Sequence, residues 1–259
     1  MKILAIGDVV GENGCRFLAK TLPVIKKDNG IELCIVNGEN SDKSNAITPS
    51  SADFLFSVGA DVITTGNHVF RRKEVYDYLD EKHDIIRPAN FNVCEYGDGY
   101  TVLDMGRLSV AVINLMGSAY TEGVENPFEC IDSLLEKDEV RSAKIKLVDF
   151  HAEATGEKRA LAFYLDGKIS ALWGTHTHVQ TSDECVLPGG TGYITDLGMV
   201  GTFLSCLGVE PECVISRLKD SQQTKFTHAN GKCVLGGCIF DIDNNGATRS
   251  VKRILIKED

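Results

Sequence analysis

An α/β fold is predicted by three features of this sequence. Short apolar runs alternate with amphipathic stretches, the early runs end in a glycine or polar cluster, and their spacing suits strand, turn, helix and return strand. At 259 residues the chain can bury one sizeable core, so a single domain over 1–259 is expected, with room for a small cap formed by loop insertions.

The elements follow in order. Ile3 to Ile6 is a strand ending in Gly7-Asp8, Leu33 to Val36 one ending in Asn37-Gly38-Glu39-Asn40, and Val62-Ile63 one leading to Thr64-Thr65-Gly66-Asn67-His68. Between them Arg16 to Ile25 and Ser51 to Val58 read as helices. Tyr100 to Leu103 and Leu108 to Leu115 form a hairpin about Met105-Gly106-Arg107. Pro127 to Leu135 is helical, with proline at a tolerated early position. Lys144 to Phe150 is a strand running into His151, Glu157 to Leu165 a helix, and Ile169 to Trp173 a strand running into Gly174-Thr175-His176-Thr177-His178. Cys233 to Ile242 and Ser250 to Ile256 are strands joined by the Asp243-Asn244-Asn245-Gly246 turn. The sequence shows no internal repeat, low-complexity tract or linker-like shift in composition.

Composition narrows the function classes. With 43% apolar and 25% charged residues the chain is of ordinary globular type. A formal net charge of -10 and the lack of a long basic run argue against nucleic acid as a stoichiometric partner, but not against a small anion held by metals. The first apolar stretch ends at Asp8, too soon for a signal peptide, and no run approaches a membrane span. The nine cysteines are scattered without C-x-x-C, which favours reduced, mostly buried thiols in a cytoplasm.

Ligands in open α/β sheets collect at the carboxyl ends of strands. Asp8, Glu39, Asn67, His151 and the His176/His178 pair each fall just after a predicted strand. Taken singly, each has an ordinary reading: Gly7-Asp8 as a turn or helix cap, Gly38-Glu39-Asn40 and Gly66-Asn67-His68 as turns, His151 as a core or capping residue. His176 and His178 would project to the same side of an extended segment and address one metal or two adjacent ones. The combination is harder to attribute to packing, because four of only six histidines stand at strand ends beside glycine, acid or amide. Without paired cysteines structural zinc is disfavoured; two octahedral-type metals with mixed oxygen and nitrogen ligands fit better.

These blocks resemble the calcineurin-like metallophosphoesterases, which implies a layered fold with central mixed β-sheets flanked by helices. The usual D-x-H is here Asp8-Val9-Val10, the usual Gly-Asp is Gly38-Glu39-Asn40, and the last block carries an extra threonine, Thr175. Together with Asp149-Phe150-His151-Ala152-Glu153-Ala154-Thr155 and Gly192-Tyr193-Ile194-Thr195-Asp196-Leu197-Gly198-Met199, these departures resemble one branch, the YmdB-like phosphodiesterases.

That resemblance implies hydrolysis of 2',3'-cyclic nucleotides to 3'-nucleotides, with two divalent or mixed-valence ions, iron or manganese. Asp8, Asn40 and His178 would hold one ion, Asn67, His151 and His176 the other, and Glu39 would bridge them. Asn40 would fill the gap left by Val10. Two divalent ions, the two carboxylates and a bridging hydroxide leave about one positive charge, compatible with a singly charged diester. Ions about 3.5–4 Å apart would activate the attacking hydroxide, and His68 would act as proton donor to the leaving 2'-oxygen.

Asp149 and Asp196 are candidates for orienting imidazoles, with turn or capping roles open beside that. Arg71 and Arg72 read as a solvated helix start rather than phosphate contacts, His83 and His228 as surface residues, and Trp173 as core. The alternatives are a phosphomonoesterase or broader phosphodiesterase, or a regulatory nucleotide- or metal-binding protein with incidental hydrolysis. A cyclic nucleotide is the expected small-molecule partner, no membrane partner is expected, and a homo-oligomer remains open.

Overall fold

The computed structural model describes residues 1–92, 95–220 and 225–259. The alternation in the first strand sets its architecture. In β1 (Lys2–Ile6), Leu4 and Ile6 face one apolar cluster and Ile3 and Ala5 face another, so the strand is buried on both sides.

The first sheet has eight strands. Its order is β2 (Asp8–Val9), β12 (Met199–Thr202), β13 (Cys233–Ile242), β1, β3 (Leu33–Asn37), β4 (Val62–Thr64) and β5 (Ile85–Ile86), with β14 (Thr248–Lys257) also paired to β13. The second has six, in the order β10 (Cys185–Val186), β11 (Gly192–Ile194), β9 (Ala171–Thr175), β8 (Ile145–His151), β7 (Ser109–Met116) and β6 (Tyr100–Asp104). Strands β1, β3, β4 and β5 run parallel, as do β7, β8, β9 and β11, while β13 and β6 are antiparallel to their neighbours. Both sheets are therefore mixed.

Three apolar layers join these sheets to their helices. Between the sheets lie Ile3, Leu33, Ile35 and Val62 from one side and Val112, Leu147 and Trp173 from the other. The outer face of the first sheet packs on α1 (Gly11–Asn29) and α2 (Pro49–Ser57) through Phe17, Leu18, Leu22, Ala52 and Leu55. The second sheet packs on α4 (Pro127–Leu135), α5 (Asp138–Ser142) and α6 (Thr155–Leu165) through Ile131, Val140, Leu161 and Leu165. The layering is helix, sheet, sheet, helix.

Every strand and helix placed from the sequence is present, with boundaries shifted by a few residues. The largest shift is in α1, which extends beyond Arg16 to Gly11 and beyond Ile25 to Asn29. Its first turn, Gly11-Glu12-Asn13-Gly14, contains poor helix formers and is held by tertiary bonds: the Gly11 amide donates to the Asn40 carbonyl at 2.9 Å. The sequence pattern did not reveal the short β2, β5, β10, β11 and β12, nor α3 (Tyr76–Glu81), α5 and α7 (Pro211–Asp220). Elements of two to six residues show too few repeats for a period to register, and α7, though longer, buries none of its residues.

No helix among the described residues is long and apolar enough to cross a membrane. Four of the eight described cysteines are buried, and Cys94 lies outside the described residues. Trp173 is 1% exposed and packs on Phe240 with ring centroids 5.6 Å apart. Trp173→Ala is expected to cost about 3–5 kcal/mol of stability in chemical denaturation, because the site between two sheets collapses poorly.

Candidate metal centre

Parallel strands bring their carboxyl ends to the same edge, and at this edge the two sheets meet. The first sheet delivers Asp8 in β2, Glu39 and Asn40 just past β3, and Asn67 and His68 past β4. The second delivers His151 at the end of β8 and His176 and His178 past β9. Gly66 makes the meeting sterically feasible: a Cβ there would lie 2.3 Å from the His151 ring and 2.4 Å from Glu39 Oε2.

The seven candidate ligands fall into two groups sharing Glu39. In one, His151 Nε2 lies 3.0 Å from Asn67 Oδ1, 3.1 Å from His176 Nδ1 and 3.2 Å from Glu39 Oε1. In the other, His178 Nε2 lies 3.6 Å from Asp8 Oδ1 and 3.3 Å from the Asn40 amide nitrogen, which in turn sits 3.1 Å from Glu39 Oε1. Asp8, Glu39, Asn40 and His151 are all but fully buried. Asn67 is exposed, and His68, His176 and His178 are partly so.

The hydrogen bonds around each imidazole decide which nitrogen faces the cluster. Thr175 spends its single hydroxyl proton on Asp149 Oδ1 at 2.7 Å, so its oxygen can only accept from His151 Nδ1 at 3.0 Å. His178 Nδ1 donates to the Leu207 carbonyl at 2.9 Å. His176 Nε2 pairs with Glu153 Oε2 at 3.1 Å. His151 Nε2, His178 Nε2 and His176 Nδ1 are thereby left to present lone pairs inward, the arrangement that metal-binding imidazoles require.

Asp8 adds a second sign of fit. Its Oδ2 accepts the His176 amide at 3.0 Å, while its buried Oδ1 has no hydrogen-bond partner. A buried carboxylate oxygen without a donor is costly, and a cation would satisfy it. Burial opposes ionisation of both acids, yet neighbouring imidazoles hold them below the ordinary carboxylate range, His178 chiefly for Asp8 and His151 for Glu39. Reciprocally, burial disfavours protonated His151, but Glu39, Asp8 and Asp149 raise it to about 9. Carboxylates here draw positive charge to one point. A cation bound there would displace that proton.

Asn40 has its amide nitrogen toward Glu39 and His178 and its oxygen 2.8 Å from His68 Nδ1. An oxygen ligand on the His178 side requires the opposite amide orientation, which places the NH2 group on His68 Nδ1 and conserves that hydrogen bond. His68 also donates its backbone amide to Glu39 Oε2 at 3.0 Å. Burial lowers the His68 pKa to about 4, with Glu39 opposing the shift.

Several expectations need correction. His176 and His178 do not lie on an extended segment: β9 stops at Thr175, and the two residues have φ of 97° and 62°. Non-glycine residues held there cost roughly 1–3 kcal/mol each, so the turn is imposed from outside. His228 is half-buried rather than fully exposed; it packs on Gly11 and its Nε2 is 2.8 Å from Asn45 Oδ1. His83 is exposed. Arg71 ends a short 3-10 turn, Val69–Arg71, and its guanidinium donates to the Ser44 and Asn45 carbonyls at 3.0 and 3.1 Å. Sequence reasoning passed over Glu153 and the role of Thr175, because neither residue type marks itself when the partner is distant in the chain.

The layered two-sheet architecture, with carboxylate, amide and imidazole groups delivered by strand-end turns, is of the metallophosphoesterase class. Within that class the chain belongs to the YmdB-like protein family, whose model matches residues 4–254. It is 42% identical to the 2',3'-cyclic-nucleotide 2'-phosphodiesterase of Bacillus subtilis (strain 168), over 100% of this chain and 98% of that protein. A crystal structure of a hypothetical protein from Thermus thermophilus superposes with a TM-score of 0.93 at 37% identity, covering 100% of both chains. One from Mycoplasma pneumoniae, described as a novel phosphatase, gives 0.94 at 31% identity over 100% of this chain and 94% of that one.

The bond from Thr175 to Asp149 predicts a local cost. In metal-free protein, Thr175→Val should lower stability by about 1–3 kcal/mol in urea denaturation, since Asp149 loses a buried donor.

Proposed function

We propose that this chain is a metal-dependent phosphodiesterase that hydrolyses 2',3'-cyclic nucleotides to 3'-nucleotides. The observation that carries this reading is a cavity of about 330 Å³ whose floor includes Glu39, Asn40, His176 and His178 and whose wall includes Leu207 and Phe226. Its size lies in the range of small-molecule sites, about 300–1,000 Å³. Metal ligands on the floor suit a phosphodiester, and an apolar wall suits a base or ribose. The name borne by the Bacillus subtilis relative supports the same choice of substrate.

In this reading Asp8, Asn40 and His178 would hold one ion and Asn67, His151 and His176 a second, with Glu39 available to both sets. When bound, the two ions supply an activated water and neutralise charge on the phosphoryl oxygens. Iron and manganese suit this mixed oxygen and nitrogen set. The protein's own task is orientation: Asp149 acts through Thr175 to hold the His151 ring, and the Leu207 carbonyl and Glu153 do the same for His178 and His176. His68, beside Asn67 at the cavity, hands a proton to the 2'-oxygen as its bond to phosphorus breaks, leaving phosphate on the 3'-oxygen.

Protein of measured metal content is expected to hydrolyse 2',3'-cyclic nucleotides in a steady-state screen against 3',5'-cyclic and monoester nucleotides. Failure on every diester would sink the proposal, and turnover confined to monoesters would make the protein a phosphatase. His68→Ala should lower turnover of the cyclic nucleotide by about 10²–10⁴-fold, and much less for a diester with a nitrophenolate leaving group, which departs without a proton. Equal losses on both substrates would rule His68 out as the donor.

A further inference from the structure

Lys158, on the first turns of α6, is a fully buried lysine outside the candidate ligand set. Its Nζ donates to Asp196 Oδ2 at 2.7 Å and to the Thr175 carbonyl at 3.0 Å. Asp196, itself buried, accepts the Thr177 amide at Oδ2, 3.2 Å away, and the Gly198 amide at Oδ1, 2.8 Å away. The pair thus grips the backbone immediately before and immediately after His176. Thr181 closes the far end, exchanging three hydrogen bonds with the Asp196 backbone at 2.9, 3.1 and 3.3 Å.

The path of the lysine is built into the strand. A Cβ at Gly174 would lie 1.9 Å from the Thr195 carbonyl oxygen and 2.8 Å from Lys158 Cδ and Cε, so the glycine before the histidine turn admits both the neighbouring strand and the lysine side chain. An ion pair this deep forfeits the hydration of two charges and is by itself weak evidence for stability. What it holds is more specific: a carbonyl and an amide flanking a residue with φ of 97°, in a turn whose next histidine is also left-handed.

We infer that the Lys158–Asp196 pair is a positioning device that imposes the left-handed His176–Thr177–His178 turn and so aims both imidazoles at the cluster. This rests on the proposed role of those histidines as metal ligands. Lys158 touches neither ligand nor cavity; it acts through the backbone. Asp196 does not reach an imidazole either, so its route to the site differs from that of Asp149, which works through a hydroxyl on a ring nitrogen.

The test is the double variant Lys158→Met with Asp196→Asn, which removes both charges together and avoids stranding either. Two readouts are compared with wild type: histidine-ring ¹H–¹⁵N signals of metal-free protein, and affinity for Mn²⁺ by competition with a chelator. The expected result is displaced His176 and His178 signals, an unmoved His83 signal and at least a roughly tenfold loss of Mn²⁺ affinity per folded molecule. Unmoved His176 and His178 signals, or displaced signals with wild-type affinity, would overturn the inference. If the double variant fails to fold, Asp196→Asn alone keeps the volume and one acceptor and is judged by the same criteria. His178→Ala is the control for the underlying reading: if it binds Mn²⁺ as wild type does, the ligand assignment fails, and the ring signals alone decide the positioning role.

Discussion

Asp8 and Glu39 are carboxylates taken out of water where two sheets meet, and the surrounding structure answers the positive charge they require. Two acids this close cannot be buried without a compensating cation, protonated imidazole or dense set of donors. Backbone amides of His68 and His176 supply part of that, and the imidazoles of His151 and His178 supply more. The unpartnered Oδ1 of Asp8 marks where the supply falls short. A cation would satisfy that oxygen.

The layered fold serves this end by placing rigid strand ends around one point. Asp8, Glu39 and Asn67 come from the first sheet, His151 and the His176–His178 turn from the second. Neither sheet holds the full set, so the apolar packing between them, including Trp173 on Phe240, also sets the separation of the candidate ligands. Precision is then added locally by groups that fix one nitrogen of each imidazole and so decide which faces inward.

That local layer was the least visible from the chain alone. The seven candidate ligands and His68 were legible because each follows an apolar strand and carries a residue type suited to metal or proton chemistry. Thr175 looked like an insertion in a familiar block, yet its hydroxyl joins Asp149 to His151. The His176-x-His178 spacing suggested an extended segment, whereas both residues are left-handed. Spacing constrains which side chains are neighbours but does not fix φ, which here answers to hydrogen bonds from elsewhere in the fold. His228 showed the same limit, appearing featureless in sequence and sitting against Gly11 in space.

The sequence by itself determined the α/β layering, the main strands and helices, the family and the chemical types gathered at the strand ends, because periodicity and turn chemistry are local properties. Tertiary structure alone decided the inward-facing nitrogens, the cavity wall and the grip of Lys158 and Asp196 on the histidine turn. These depend on contacts between groups far apart in the chain, such as Asp8 with His176 and Lys158 with Asp196, 168 and 38 positions apart. No local pattern encodes such distances; they follow from how the two sheets pack.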